Sequence, residues 1–155
     1  MDRKELYRLA ISQELRSQNL YLALSKSFRN PQTSALFSEL IMLEKTHEEK
    51  LRQAFAAEFP GLGIEVESGL AQDLQGLDLG DPQKVLDFAI SREDKARQHY
   101  EAFAADTRDP ELKKMLLKLA VEEDGHKTLL LTEMQRIHGA LEWYDPSELN
   151  GFMDD

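Results

Sequence analysis

The sequence has no cysteine, and no stretch of it is long and apolar enough to cross a membrane. Without thiols it cannot form disulfides, thiolate zinc sites or cysteine-ligated iron–sulfur centres, so any metal must bind to oxygen and nitrogen ligands. A transmembrane helix needs about 18 consecutive uncharged apolar residues, and the segment Met1–Glu5 does not lead into a hydrophobic signal core. We therefore expect a cytoplasmic protein that has no membrane partner.

Basic residues are also scarce, with 19 Lys and Arg against 29 Asp and Glu, which gives a formal net charge of −10. A surface of this sign repels the phosphate backbone of nucleic acids and anionic lipid headgroups. We therefore expect no nucleic-acid partner.

The length of 155 residues is sufficient for one domain with a substantial core.

Proline and glycine are rare inside four long segments in which apolar residues recur every three or four positions. Asn30-Pro31, Asp81-Pro82 and Asp109-Pro110 each combine a capping residue with a proline that suits the first helical turn. These signals predict an all-α fold whose helices span about residues 2–29, 31–59, 82–106 and 110–138.

Two segments outside these helices complete the organisation. Residues 60–81 hold five of the eight glycines and show no sustained period, so we predict a long crossover from one end of a bundle to the other. The fourth helix is expected to stop at Gly139, and Asp145-Pro146 predicts a further short helix in the tail 139–155. Residues 1–138 then form a four-helix bundle made of two helical hairpins.

One motif of leucine, glutamate, histidine and leucine occurs twice, as Leu40-x3-Glu44-x2-His47-x3-Leu51 and as Leu119-x3-Glu123-x2-His126-x3-Leu130. Steps of four, three and four residues return to the same face of a helix, so each copy places a carboxylate and an imidazole within a leucine stripe. Ionised carboxylates are costly in an apolar core unless something compensates their charge. Glutamate followed three residues later by histidine is typical of a metal-binding pair.

The second helical pair is a copy of the first at an offset of 79 residues. Thirteen of the pairs that residues 2–59 form at this offset are identical, which indicates a duplicated unit. The identical pairs include a further glutamate and a tyrosine that follows it by two helical turns on the same face. These residues are Glu14 and Tyr21 in the first copy, and Glu93 and Tyr100 in the second.

The acidic and imidazole groups lie at one level along the predicted hairpin. Glu14 precedes the turn between the first two helices by about as many residues as Glu44 and His47 follow it. Two facing hairpins would therefore gather four glutamates and two histidines in one central layer. Two divalent cations would neutralise the four carboxylates, and these ligands suit iron or manganese, with zinc also compatible.

This set of residues resembles that of the ferritin-like di-iron carboxylate proteins, and within them the rubrerythrin-like branch. The resemblance covers residues 2–138 and implies a ferritin-like bundle that binds two iron ions. It implies the following roles: bridging ligands Glu44 and Glu123, terminal ligands Glu14 and Glu93, one histidine per ion, His47 and His126, and hydrogen-bonding tyrosines Tyr21 and Tyr100. The two tyrosines could also be core residues with satisfied hydroxyl groups.

The resemblance implies an oxidoreductase in which two Fe(II) ions are oxidised by hydrogen peroxide or O2. Rubrerythrins carry another carboxylate about one turn from the ligand of the third helix, where this sequence has Ala96, and a cysteine-ligated iron domain, which this sequence lacks. We therefore expect a separate electron-donor protein. Two alternatives stay open: an iron storage or detoxification protein, and a bundle that keeps metal for stability without turnover.

Some remaining residues carry weaker expectations. His99, His138 and the acidic residues around Glu123 are expected to face solvent. Gly125 lies inside the fourth helix, which indicates close backbone approach or a local irregularity beside the site. Exposed apolar residues on the long helices permit a homodimer without requiring one. They are Leu22, Ile41 and Leu131.

Overall fold

The computed structural model describes residues 1–67 and 74–143, with side chains described up to Gly139. The chain forms four helices: α1 (Arg3–Ser25), α2 (Pro31–Glu58), α3 (Pro82–Asp106) and α4 (Pro110–Trp143). They pack as two hairpins, α1 with α2 and α3 with α4, which confirms the all-α bundle. None of the helices within the described ranges is long and apolar enough to span a membrane.

Capping side chains fix where α2, α3 and α4 begin. The carboxamide oxygen of Asn30 accepts a hydrogen bond from the backbone N–H of Gln32 at 2.9 Å. Asp81 and Asp109 do the same for the first turns of α3 and α4, at 3.1 and 3.0 Å. A proline follows each cap, where its missing N–H leaves no hydrogen bond unmade.

Two apolar clusters fill the two ends of the bundle. The first cluster joins the beginnings of α1 and α4 to the ends of α2 and α3, and its members include Leu6, Phe55, Ala104 and Leu116. The second cluster joins the opposite ends of the same helices, and its members include Leu24, Phe37, Leu86 and Leu130. Each helix therefore passes from one cluster to the other, and the level between the clusters is left to polar residues.

The crossover between α2 and α3 runs along the outside of the bundle. Ile64 and Val66 pack against the first cluster, whereas Leu74 and Leu77 pack against the second. The backbone N–H of Glu67 also donates a 3.1 Å hydrogen bond to Ser12 Oγ on α1. These contacts confirm a long crossover that connects the two ends of the bundle.

The predicted end of α1 at residue 29 is wrong, because the helix ends at Ser25. The N–H groups of Lys26, Ser27 and Phe28 bond to carbonyls three residues earlier, at 3.3, 3.0 and 3.2 Å. This tighter winding is typical of a helix end. It accompanies the burial of the Phe28 ring, which stacks on Phe37 with the centroids 5.4 Å apart.

The predicted stop at Gly139 is also wrong, because α4 continues to Trp143. Gly139 does not adopt the positive φ of a helix-ending glycine, and no proline follows it until Pro146. Glycine inside a helix costs only about 1 kcal/mol relative to alanine, which is too little to end this one. The short helix predicted from Asp145 lies outside the described residues.

The expected close backbone approach or local irregularity at Gly125 is also wrong. Its backbone is regularly helical and exposed, and a Cβ atom built there would have no neighbour within 4 Å. No close backbone approach therefore requires glycine at this position.

We predict that Gly125→Ala raises the free energy of unfolding by up to about 1 kcal/mol, because alanine has the higher helix propensity. The midpoint of thermal unfolding should rise by about 2–4 °C per kcal/mol, which scanning calorimetry can measure. Gly61→Ala is the contrasting variant, since Gly61 has a φ of 76° and should lose stability as alanine. A loss of stability in Gly125→Ala would contradict the open position described here.

Candidate metal centre

The six residues predicted as metal ligands all lie in the layer between the two apolar clusters. Each of them is at most 5 % exposed to solvent. Glu14 comes from α1 and Glu93 from α3, while α2 and α4 each contribute one glutamate and one histidine. The latter residues are Glu44, His47, Glu123 and His126.

The leucines of the two motifs hold this layer in place. Leu40 and Leu130 belong to the second cluster, and Leu51 and Leu119 belong to the first. Each motif is therefore anchored in apolar packing at both ends, with its glutamate and histidine in between. Because α2 and α4 run antiparallel, the two motifs meet at the same height.

The six side chains form two overlapping groups that could each hold one metal ion. One group contains Glu14, Glu44, His47 and Glu123, and the other contains Glu44, Glu93, Glu123 and His126. Within each group, one ligand atom of every residue lies within 4.8 Å of the others. Glu44 and Glu123 belong to both groups, so the cluster fits a di-metal site whose two positions share these carboxylates.

The cluster has approximate two-fold symmetry. Nδ1 of His47 lies 2.7 Å from Oε1 of Glu123, and Nδ1 of His126 lies 2.6 Å from Oε1 of Glu44. The two imidazole rings are nearly parallel, with centroids 5.2 Å apart and an interplanar angle of 14°. Each histidine therefore reaches across to the motif glutamate of the other hairpin.

Most of the predicted ligand atoms have no hydrogen-bond partner within the described residues. Eight buried atoms of these residues lack a hydrogen-bond partner among the described residues, because the short contacts between them do not have hydrogen-bond geometry. The atoms are Oε2 of Glu14 and Glu93, both carboxylate oxygens of Glu44 and Glu123, and Nδ1 of His47 and His126. Buried polar atoms without partners are costly in a folded protein. Metal ions would satisfy all of them.

Two tyrosines connect the hairpins through the remaining carboxylate oxygens. The hydroxyl of Tyr21 on α1 donates a hydrogen bond to Oε1 of Glu93 on α3, and Tyr100 on α3 donates one to Oε1 of Glu14 on α1. Burial, followed by the neighbouring carboxylates, raises the pKa of both tyrosines well above the ordinary value. Both hydroxyls therefore stay protonated and act as donors.

The charged groups of the layer have strongly shifted pKa values in the metal-free protein. Burial, reinforced by repulsion from Glu14 and the other carboxylates, raises the pKa of Glu44 and Glu123 well above the usual range. Burial alone would lower the pKa of His47, but its short contacts with Glu123 and Glu14 outweigh that effect and raise it to about 10. Protons therefore neutralise part of the layer when metal is removed.

Sequence reasoning missed the contact of Glu122 with His47. We expected Glu122 to face solvent, but its Oε2 lies 2.7 Å from Nε2 of His47, and its side chain is only 32 % exposed. The internal repeat gave no signal for it, because the corresponding residue of the first copy is Leu43.

Three other sequence expectations can be compared with the structure. His99 and His138 are exposed as expected. Ala96, one turn after Glu93, is a buried apolar residue. The cluster therefore gains no further carboxylate at that position.

Comparison with known proteins finds one matching family model and two similar solved structures. The protein-family model described as Rubrerythrin matches residues 5–74 and 84–151. A hypothetical protein from Pyrococcus furiosus has 23 % sequence identity and a TM-score of 0.72, with 87 % of this chain and 89 % of that chain covered. An uncharacterized conserved protein from Magnetospirillum magnetotacticum has 21 % identity and a TM-score of 0.71, with coverage of 88 % and 95 %. A search of curated proteins found no match.

We predict that the metal-free protein becomes less stable as the pH rises. The folded state binds more protons than the unfolded chain above the ordinary pKa of Glu, 4.5, and again between 6.5 and about 10 for His47. Stability falls with pH wherever the folded state binds more protons. Urea unfolding in the presence of a chelator, at several values from about pH 5.5 to 9, measures this dependence.

The double variant Glu44→Gln/Glu123→Gln is the matched control for this experiment. Its amides cannot ionise, so we expect a weaker pH dependence and a more stable metal-free protein at about pH 8. When the chelator is omitted and Fe(II) is added, the metal should stabilise the parent protein and not the variant. A free energy of unfolding that rises with pH in the chelated parent would contradict the shifted pKa values.

Proposed function

Because the chain belongs to the rubrerythrin family, we propose that it is a di-iron oxidoreductase whose Fe(II) ions are oxidised by hydrogen peroxide or O2. The observation that carries the proposal is the pair of overlapping ligand groups that share Glu44 and Glu123. A structural polar core would pair its donors and acceptors with one another. Here the buried hydrogen-bond acceptors face each other, and cations can compensate the repulsion between them.

The six ligands divide between two metal positions. Glu44 and Glu123 contribute to both positions. The residues that belong to only one position are Glu14 and His47 for the first ion, and Glu93 and His126 for the second. Four carboxylates carry four negative charges and two divalent cations carry four positive charges, so the filled layer is neutral when both imidazoles are neutral.

The ligand chemistry favours iron or manganese. Carboxylate and imidazole groups suit these metals, and the sequence has no cysteine that would favour softer ones. When bound, two Fe(II) ions would each supply one electron, which with two protons reduces one hydrogen peroxide molecule to two water molecules. Zinc would fit the same ligands but cannot change its oxidation state, so a zinc-loaded protein would be a stable bundle without turnover.

The protein itself keeps the ligands oriented and excludes water. Tyr100 and Tyr21 each hold one oxygen of a terminal carboxylate, which leaves the other oxygen of Glu14 and Glu93 free for metal. The apolar clusters above and below the layer keep each of the six residues at most 5 % exposed to solvent. A dry and preorganised layer strengthens each electrostatic contact with a cation.

We propose that a separate electron-donor protein reduces the metal ions again, since the sequence has no cysteine for an iron–sulfur or thiolate-bound iron centre. The homodimer remains a prediction. Leu22 on α1 is exposed, as are Met42 on α2 and Val121 on α4, whereas Ile41 and Leu131 are half-buried.

We predict that Glu44→Gln/Glu123→Gln lowers metal binding below detection and abolishes peroxide-dependent oxidation of Fe(II). Both metal positions lose their shared carboxylates, and with them half of the negative charge that holds the cations. Anaerobic Fe(II) loading followed by stopped-flow absorbance after addition of peroxide, and separately of O2, measures the reaction.

The matched control is Glu39→Gln/Glu49→Gln, which removes the same charge from exposed positions of α2. It should bind metal and react as the parent does. If the Glu44 and Glu123 variant oxidises Fe(II) as fast as the parent, the proposed site is wrong.

We further predict that the protein saturates at two metal ions per chain. The described residues contain only two groups able to hold a metal, and these share two ligands. Elemental analysis after Fe(II) loading in air, combined with size-exclusion chromatography, gives the ratio of iron to protein. A ratio far above two in a large assembly would instead support iron storage.

A further inference from the structure

His47 touches a charged group on each side of its ring. Nδ1 points into the metal layer, where it lies 2.7 Å from Oε1 of Glu123 and 3.5 Å from Oε2 of Glu14. On the other side, Nε2 lies 2.7 Å from Oε2 of Glu122, which reaches it from α4. The imidazole is 3 % exposed, whereas the carboxylate of Glu122 is 32 % exposed. Glu122 therefore contacts the buried ring from the rim of the bundle.

The second histidine has no such partner. Every ion pair of His126 uses Nδ1, and within the described part of the chain Nε2 has neither a hydrogen bond nor an ion pair. The reason lies in the sequence. The residue before Glu123 is Glu122, but the residue before Glu44 is Leu43. The duplicated hairpins thus agree in all six ligands and differ at the position that supports the histidine of the opposite hairpin.

We propose that Glu122 is a positioning residue for His47, and that it makes the two metal positions unequal. A carboxylate that accepts a hydrogen bond from Nε2–H fixes the tautomer in which Nδ1 carries the lone pair for metal. It also makes Nδ1 a stronger ligand and holds the ring in the plane that the metal needs. The position formed with Glu14 and His47 therefore fills before the position formed with Glu93 and His126. This inference rests on the proposed two-metal function.

The variant Glu122→Leu tests the inference, because it gives the second hairpin the residue that the first already has. Anaerobic titration calorimetry with Co(II) should show two steps in the parent, with the first ion bound at least about 10-fold more tightly than the second. In Glu122→Leu, the first step should weaken by about 10- to 100-fold, so that the two steps merge. Glu122→Gln should fall between them, since its amide oxygen can accept the hydrogen bond but carries no charge.

Two further measurements separate positioning from a general loss of charge or fold. Glu49→Leu removes an exposed carboxylate from α2 and should leave both steps unchanged. In the Zn(II)-loaded parent, the Nε2–H proton of His47 should give a protected NMR signal that is missing in Glu122→Leu. The chelated variants should still unfold cooperatively, which shows that the fold is kept even if loss of the Glu122 contact lowers their stability.

The outcomes distinguish this inference from the proposed function. If the parent binds two Co(II) ions and Glu122→Leu keeps the same first step, Glu122 does not position His47 and only this inference is overturned. If the parent binds no Co(II) or one ion per chain, the two-metal function itself is wrong.

Discussion

Repulsion among four buried carboxylates is the constraint on which the rest of this structure depends. Within each of the two ligand groups, one atom from every residue lies within 4.8 Å of the others, at a depth where water cannot screen the charges. Only positive charge can make this layer stable. In the metal-free protein protons take that role. Burial and then the neighbouring carboxylates raise the pKa of Glu44 and Glu123, while short contacts with Glu123 and Glu14 raise the pKa of His47 against the effect of its burial. Two divalent cations would replace those protons.

The apolar residues serve this layer by fixing its height and keeping it dry. Leucines at both ends of each motif are buried in the two clusters, so the glutamate and histidine between them cannot slide along the helix axis. Tyr100 belongs to the first cluster and Tyr21 to the second, yet each hydroxyl bonds to a carboxylate of the layer. The tyrosines thus join the apolar core to the ligands and tie α1 to α3.

Spacing along a helix predicted which residues share the buried layer but not the contacts between hairpins. Steps of three and four residues place Glu44 and His47 on one face whatever the partner helix is, so all six predicted ligands follow from the repeat. Each tyrosine shares a face with the glutamate of its own helix, yet it bonds to the glutamate of the other hairpin. The helix ends after Ser25 and beyond Gly139 depend on local packing and on small propensities, which the apolar period does not report.

The two copies of the repeat differ in the polar contacts beside the layer, which separates replaceable contacts from the carboxylates of the layer itself. On either side of the site, a polar bridge joins the two helices of a hairpin, but its chemistry differs between copies. In the first hairpin Gln18 donates to Glu48 at 2.8 Å, whereas in the second Lys127 donates to Asp94 at 3.0 Å. Because Glu48 and Lys127 are equivalent in the repeat, the charge at that position has been inverted while the bridge remains. A surface bridge contributes little to stability and can be rebuilt from either sign of charge. Four carboxylates that would surround two cations have no such freedom, because removing one would leave the charges of the proposed site unbalanced.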